Sequence, residues 1–229
     1  MRLLNALKGD VLFQYRNGFY AIYAIISIIY IMILNVLPED IKTIAIPVVV
    51  FTDPTVIGLF FIGGIIMLEK IQGVTHSIVV TPLKVKDFIL SKLISLSAIS
   101  VISSLIIAYL STDKTFNVIV LVLSIILSSS FFTLMGVIIA SSTKTLNGYF
   151  VKMIVWTMLV ASPLLLLMVT DSNLLSLFPV VAMLRLVMGA FNSIGKIESL
   201  LLMCYLILIN YLTFRKTIDV YERKVIYGE

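Results

Sequence analysis

The chain has 229 residues, of which 60% are hydrophobic and only 13% charged. A water-soluble domain of this size needs nearer a quarter of its residues charged to cover its surface. The mean hydropathy of +1.13 therefore excludes an ordinary soluble enzyme and a disordered chain, and one cysteine excludes a disulfide scaffold.

Residues 1–17 come first in chain order. Leu3, Leu4, Leu7, Val11, Leu12 and Tyr15 follow helical spacing, with Arg2, Lys8, Asp10 and Arg16 on the other side. This pattern predicts an amphipathic elbow helix lying along the membrane interface. Gly18 permits the bend that follows.

A bilayer core about 30 Å thick takes about 20 helical residues to cross. Runs of that order cover 19–37, 44–68, 88–110, 118–140, 149–169 and 197–214. They predict an all-α integral membrane protein of six transmembrane helices in one domain, 1–229, with no soluble module. The first run is long for the core of a signal peptide and has no small-x-small pattern after it, so it reads as an uncleaved span.

The second run is irregular. Thr52-Asp53-Pro54 has the form of a helix start, Asp53 capping and Pro54 in the first turn. Pro54 to Leu68 is then too short to cross alone. Two roles fit Asp53: a cap holding a kink, or a polar break lining a conduit. Gly58, Gly63 and Gly64 allow close helix contact. The third and fourth runs carry stripes of small hydroxyl residues, Ser91 to Ser104 and Ser124 to Thr133, which suit helix packing and, less simply, a hydroxyl-lined path.

Residues 171–192 are apolar but interrupted by Pro179, Arg185 and Gly189. They predict an outer re-entrant or interfacial segment before the last span. Arg185 either pairs with Asp53 or snorkels to lipid phosphate. Cys204 reads as a packed residue of the last span.

Charge sets the orientation. Arg2, Lys8, Arg16, Lys70, Lys84, Lys86, Lys92, Lys144, Lys152, Arg215, Lys216, Arg223 and Lys224 fall on one side of the six spans. Lys42, Lys114, Arg185 and Lys196 fall on the other. The positive-inside rule places both termini in the cytoplasm. This distribution also accounts for the net charge of +5 without a nucleic-acid partner. No GxxxxGK[ST] phosphate loop is present, and one His and one Cys leave out the common metal clusters. Transport is the expectation, not catalysis, with no cofactor or metal on this chain.

The most informative loop is 67–94, MLEKIQGVTHSIVVTPLKVKDFILSKLI. Glu69-Lys70 sits where a helix leaves the membrane, and Thr81-Pro82 has the form of a cap and first turn. Between them, residues 70–80 could form a short helix suited to docking a soluble partner. The run Glu69-Lys70, Gly73-Val74-Thr75, Ile78-Val79-Val80, Thr81-Pro82-Leu83, Asp87-Phe88 and Lys92 resembles the permease subunits of type-2 ATP-binding-cassette transporters. Val74 departs from the Thr more common there. Asp53-Pro54 is similar to the drug-export subgroup of those permeases.

The resemblance implies a plasma-membrane exporter subunit that pairs with a second permease chain, identical or different. Each chain would dock a separate ATPase that carries ATP and Mg. The coupling loop would span 69–87, with Glu69, Lys70, Gly73, Val74, Thr75, Ile78, Thr81 and Pro82 meeting the ATPase. The pathway would lie between spans two and five, with Asp53, Pro54, Trp156, Lys152 and Arg185 as candidate lining residues. An ion-coupled transporter using Asp53, and a non-transporting accessory or immunity protein, are the alternatives.

Overall fold

A computed structural model describes residues 2–72, 84–112, 115–167, 173–192 and 194–226, without the side chains of 53–57, 173 and 226. Eight α-helices are seen among the described residues: α1 (Arg2–Arg16), α2 (Phe19–Val36), α3 (Glu39–Ile71), α4 (Val85–Ser111), α5 (Val118–Ser141), α6 (Leu146–Leu167), α7 (Pro179–Asn192) and α8 (Lys196–Tyr221). A 3-10 turn at Asn173–Leu177 precedes α7, and a π-helical turn at Glu222–Ile226 follows α8. The protein is an all-helical, multi-pass membrane protein. Five helical segments among the described residues are long and apolar enough to cross a bilayer: Phe19–Val36, Val85–Ser111, Val118–Ser141, Leu146–Leu167 and Lys196–Val225.

α3 is the expected second span, and it is not one of the five. The side chains in its middle, 53–57, lie outside the described residues. Its backbone corrects one expectation. The break at Asp53-Pro54 is absent, and the helix is continuous for 33 residues through Pro47 and Pro54, a length of about 50 Å. Asp53 is thus not an N-cap. The cap position is Pro38, with Glu39 and Asp40 in the first turn, where carboxylates oppose the positive end of the helix dipole. Each proline removes one helical N–H. The helix persists because its apolar face (Val50, Phe51, Leu59, Ile62, Ile65 and Ile66) is buried, and packed neighbours hold a membrane helix together across a proline.

α5 is the central post. It packs against α3, α4, α8, α7 and α6. The hydroxyl stripes are its packing surface. Ser100 and Ser129 share a hydrogen bond of 3.1 Å between α4 and α5. Ser27 and Ser103 share one of 2.6 Å between α2 and α4. Ser124, Ser128, Ser129 and Thr133 are buried.

Glycine brings α3 close to both α5 and α6. A Cβ at Gly63 would collide with the Tyr149 ring, and one at Gly136 would collide with Ile62. Tyr149 fills the gap and donates its hydroxyl to the Leu59 carbonyl of α3. Gly64, by contrast, faces open space.

α6 and α8 form the perimeter. Only 11% of an 18-residue apolar stretch in each is buried, against 56% of such a stretch in α4 and 50% in α5. Their exposed residues include Val151, Ile154, Met158, Leu200, Leu208 and Leu212, as a bilayer requires. Cys204 is exposed on α8, which corrects its assignment as a packed residue. A thiol is apolar enough to face lipid. The segment expected at 171–192 forms, from Asn173 on, the 3-10 turn and the 14-residue α7, whose residues Val180 to Val187 are largely buried. A segment this short needs such shelter, because at about 21 Å it does not cross alone.

Candidate functional site: a buried ion triad joining three helices

Gly18 takes a positive φ of 75°, a backbone state that favours glycine, and turns the chain from α1 into α2. α1 then lies across the end of α4. Its polar side faces the protein: Asp10 and Gln14 are its buried residues. Its apolar side, with Leu4, Val11, Leu12 and Tyr15, is exposed. The amphipathic helix is as expected, but Asp10 is not on a solvated face.

Asp10 points at Lys92, about two helical turns into α4. The Lys92 ammonium lies 2.8 Å from Asp10 Oδ1 and 2.6 Å from Glu69 Oε1, at the last turn of α3. The Lys92 side chain is 1% exposed, Asp10 10% and Glu69 8%. Ser91 donates its hydroxyl to Asp10 Oδ2. One turn further along both helices, Gln14 Nε2 donates to Ser95 Oγ at 2.9 Å. The Phe88 ring covers Lys92 with its centroid 4.3 Å from the ammonium, and Tyr221 from α8 packs on Phe88 at 5.5 Å.

Such a triad is costly to desolvate and effective once formed. Two carboxylates on one ammonium, with added hydroxyl and cation–π contacts, offset the loss of water. Two buried polar atoms at this end, Glu69 Oε2 and the Tyr221 hydroxyl, have no hydrogen-bond partner among the described residues.

Lys70, the next residue, goes the other way. Its ammonium donates to the Ala140 carbonyl at 2.8 Å and the Thr143 carbonyl at 3.2 Å. Lys152 donates to the Ser142 carbonyl at 2.9 Å, and Lys224 to the Ser142 hydroxyl at 3.1 Å. Three lysines thus gather at the carbonyl end of α5, where unpaired C=O groups and the helix dipole both favour cations.

Glu69 and Lys70 were expected on a docking loop. The structure places both in the last turn of α3, engaged within the chain. Gly73, Val74, Thr75, Ile78, Thr81 and Pro82 lie outside the described residues, as do the side chains of Asp53 and Pro54, and with them the Asp53–Arg185 pairing. Arg185 donates from Nη1 to Ser176 Oγ at 2.9 Å, tying α7 to the 3-10 turn. Trp156 is partly buried against Phe131 and Phe132, with ring centroids 6.2 and 6.0 Å away. Asp10, Gln14 and Ser91 are the residues that sequence reasoning missed. The available signal was that Asp10 and Gln14 stand four residues apart, on one face of an amphipathic helix.

Comparison with known proteins gives this arrangement a context. A fluoroquinolones export permease protein family model matches residues 1–229. Two fluoroquinolones export permease proteins, from Mycobacterium tuberculosis strains CDC 1551 / Oshkosh and H37Rv, are each 30% identical over 135 residues. The match covers 59% of this chain and 57% of each relative's length. With a family match over its whole length and a multi-pass helical architecture, the chain belongs to the fluoroquinolones export permease protein family, whose members resemble type-2 export permeases.

Proposed function

We propose that this chain is the membrane subunit of an ATP-driven exporter of amphiphilic aromatic drugs, fluoroquinolones among them. In this reading α3 is the second of six crossings, and both termini lie in the cytoplasm. A separate ATPase binds the segment between α3 and α4 and supplies ATP and Mg. A second permease chain completes the path.

The observation that carries the reading is the Asp10–Lys92–Glu69 triad. α3 ends at Ile71 and α4 begins at Val85, so the expected coupling loop hangs between Glu69 and Lys92. A displacement of that loop acts on both residues, and through Lys92 on Asp10 of the elbow helix. Loop, elbow and two spans then shift as a unit. ATP drives transport only if the ATP-bound partner favours one arrangement of this unit over another. Glu69 and Lys70 anchor the loop, and the ATPase contact falls to 72–84.

The test is co-expression with the candidate ATPase, followed by drug uptake into inverted vesicles, which reads efflux from the cell. The reading requires efflux that needs both chains and hydrolysable ATP, with Asp10→Asn uncoupling hydrolysis from efflux. Efflux by the permease chain alone on an ion gradient would sink it.

A further inference from the structure

We propose that the cavity at the opposite end of the bundle from the ion triad is a subsite for the carboxylate end of an amphiphilic aromatic molecule. The cavity is about 160 Å³. It lies between the first turns of α3 (Glu39, Lys42, Thr43, Ile46), the end of α4 (Ser111, Thr112) and the end of α7 (Phe191, Asn192). Whole drug-sized ligands take about 300 Å³ or more. The space therefore fits one end of such a molecule.

Its chemistry selects an anion. The Lys42 side chain is 16% exposed, and its ammonium bonds Glu39 Oε1 at 2.8 Å. Glu39 is 77% exposed, so it is a weak competitor that can turn to water. A ligand carboxylate entering the cavity replaces Glu39 on Lys42 in a drier setting, where a charge-assisted hydrogen bond is stronger. Ser111 supplies the second group. It is 4% exposed and lines the cavity. Its hydroxyl is buried and has no partner among the described residues, so a rotation about its Cα–Cβ bond that turns it into the cavity gains it an acceptor in the second carboxylate oxygen.

The remaining wall selects an aromatic body. Phe191 is held against Phe116 with centroids 5.3 Å apart, and Phe116 against Tyr109 at 5.0 Å. This stack is fixed by the backbone bond from Asn117 N–H to the Ala190 carbonyl at 2.8 Å. Ile46 and the Pro47 ring complete the apolar side. A planar ring bearing a carboxylate thus meets a cation, a free hydroxyl donor and an aromatic face, all on elements anchored elsewhere in the bundle.

The inference rests on the export reading for its choice of ligand, and binding is measured without the ATPase. The purified chain in lipid nanodiscs is titrated with norfloxacin and with its methyl ester, followed by drug fluorescence. Wild type should bind the acid about tenfold more tightly than the ester. Lys42→Gln should erase that preference while unfolding within about 4 °C of wild type. Ser111→Ala should weaken acid binding a few-fold and keep part of the preference. A wild-type chain with no acid-over-ester preference, or a Lys42→Gln chain that retains it, overturns the proposal. Efflux without the preference sinks this subsite alone. The preference without ATP-driven efflux sinks the export reading and leaves the subsite standing.

Discussion

α3 carries a lysine–carboxylate site at each end, and the two differ in burial. At one end Lys92 is 1% exposed and bonded to two carboxylates from two other helices. At the other, Lys42 pairs with the mostly exposed Glu39 three residues earlier in the same helix. The first pairing joins α1, α3 and α4, and none of its members can leave without stranding a charge in an apolar interior. The second joins one helix to itself, and its carboxylate can move into water at little cost. The same two functional groups thus make a structural tie at one end and an exchangeable site at the other. Burial decides which.

The contrast is most exposed to test at Lys92. Lys92→Met leaves Asp10 and Glu69 buried without their cation, and should destabilise the protein by about 3–5 kcal/mol. Thermal unfolding of the purified protein in nanodiscs measures this, and a wild-type melting temperature would break the comparison outright.

The rod between the two ends comes next. Gly63→Ala drives a methyl group into the Tyr149 ring and should cost about 1–3 kcal/mol. Gly64→Ala, one residue on in open space, should stay within about 0.5 kcal/mol of wild type. Equal melting temperatures for the two would mean that α3 is not clamped by Tyr149.

Asp10→Asn and Glu69→Gln sharpen the picture of the tie. Each alone should cost about 1–3 kcal/mol, since each retains a polar side chain but loses a charge. A double-mutant cycle between them should show a coupling of about 0.5–3 kcal/mol, because both act through one ammonium. Strict additivity would show that Lys92 holds them independently.

The smallest effect belongs to the open end. Lys42→Gln should change stability by no more than about 1 kcal/mol, and by less at high salt. The same melting measurement in low and high salt reads both.

Much of the fold was legible in particular residues. The boundaries of α2, α4, α5 and α6 follow from the apolar runs, because span length is set by bilayer thickness and acts locally on the chain. Gly18 marked its bend, and Gly63 marked a close helix contact, which α3 makes with Tyr149 of α6. Asp53-Pro54 misled, because a cap-and-proline pair is also tolerated within a helix when tertiary contacts hold it. Of the site, Glu69 and Lys92 were visible as motif positions. Their partner Asp10 was not, because it is 82 residues from Lys92 in the chain, and an acidic residue on an amphipathic helix has water as its default surroundings.

The sequence by itself determined that this chain belongs in a membrane and where most of its apolar helices run, since hydropathy and helical period are local properties. Only the tertiary structure decided which charges would be buried together. Whether a lysine becomes a permanent tie or an available site depends on how many helices converge on it and how much water they exclude, and neither can be read along one strand of sequence.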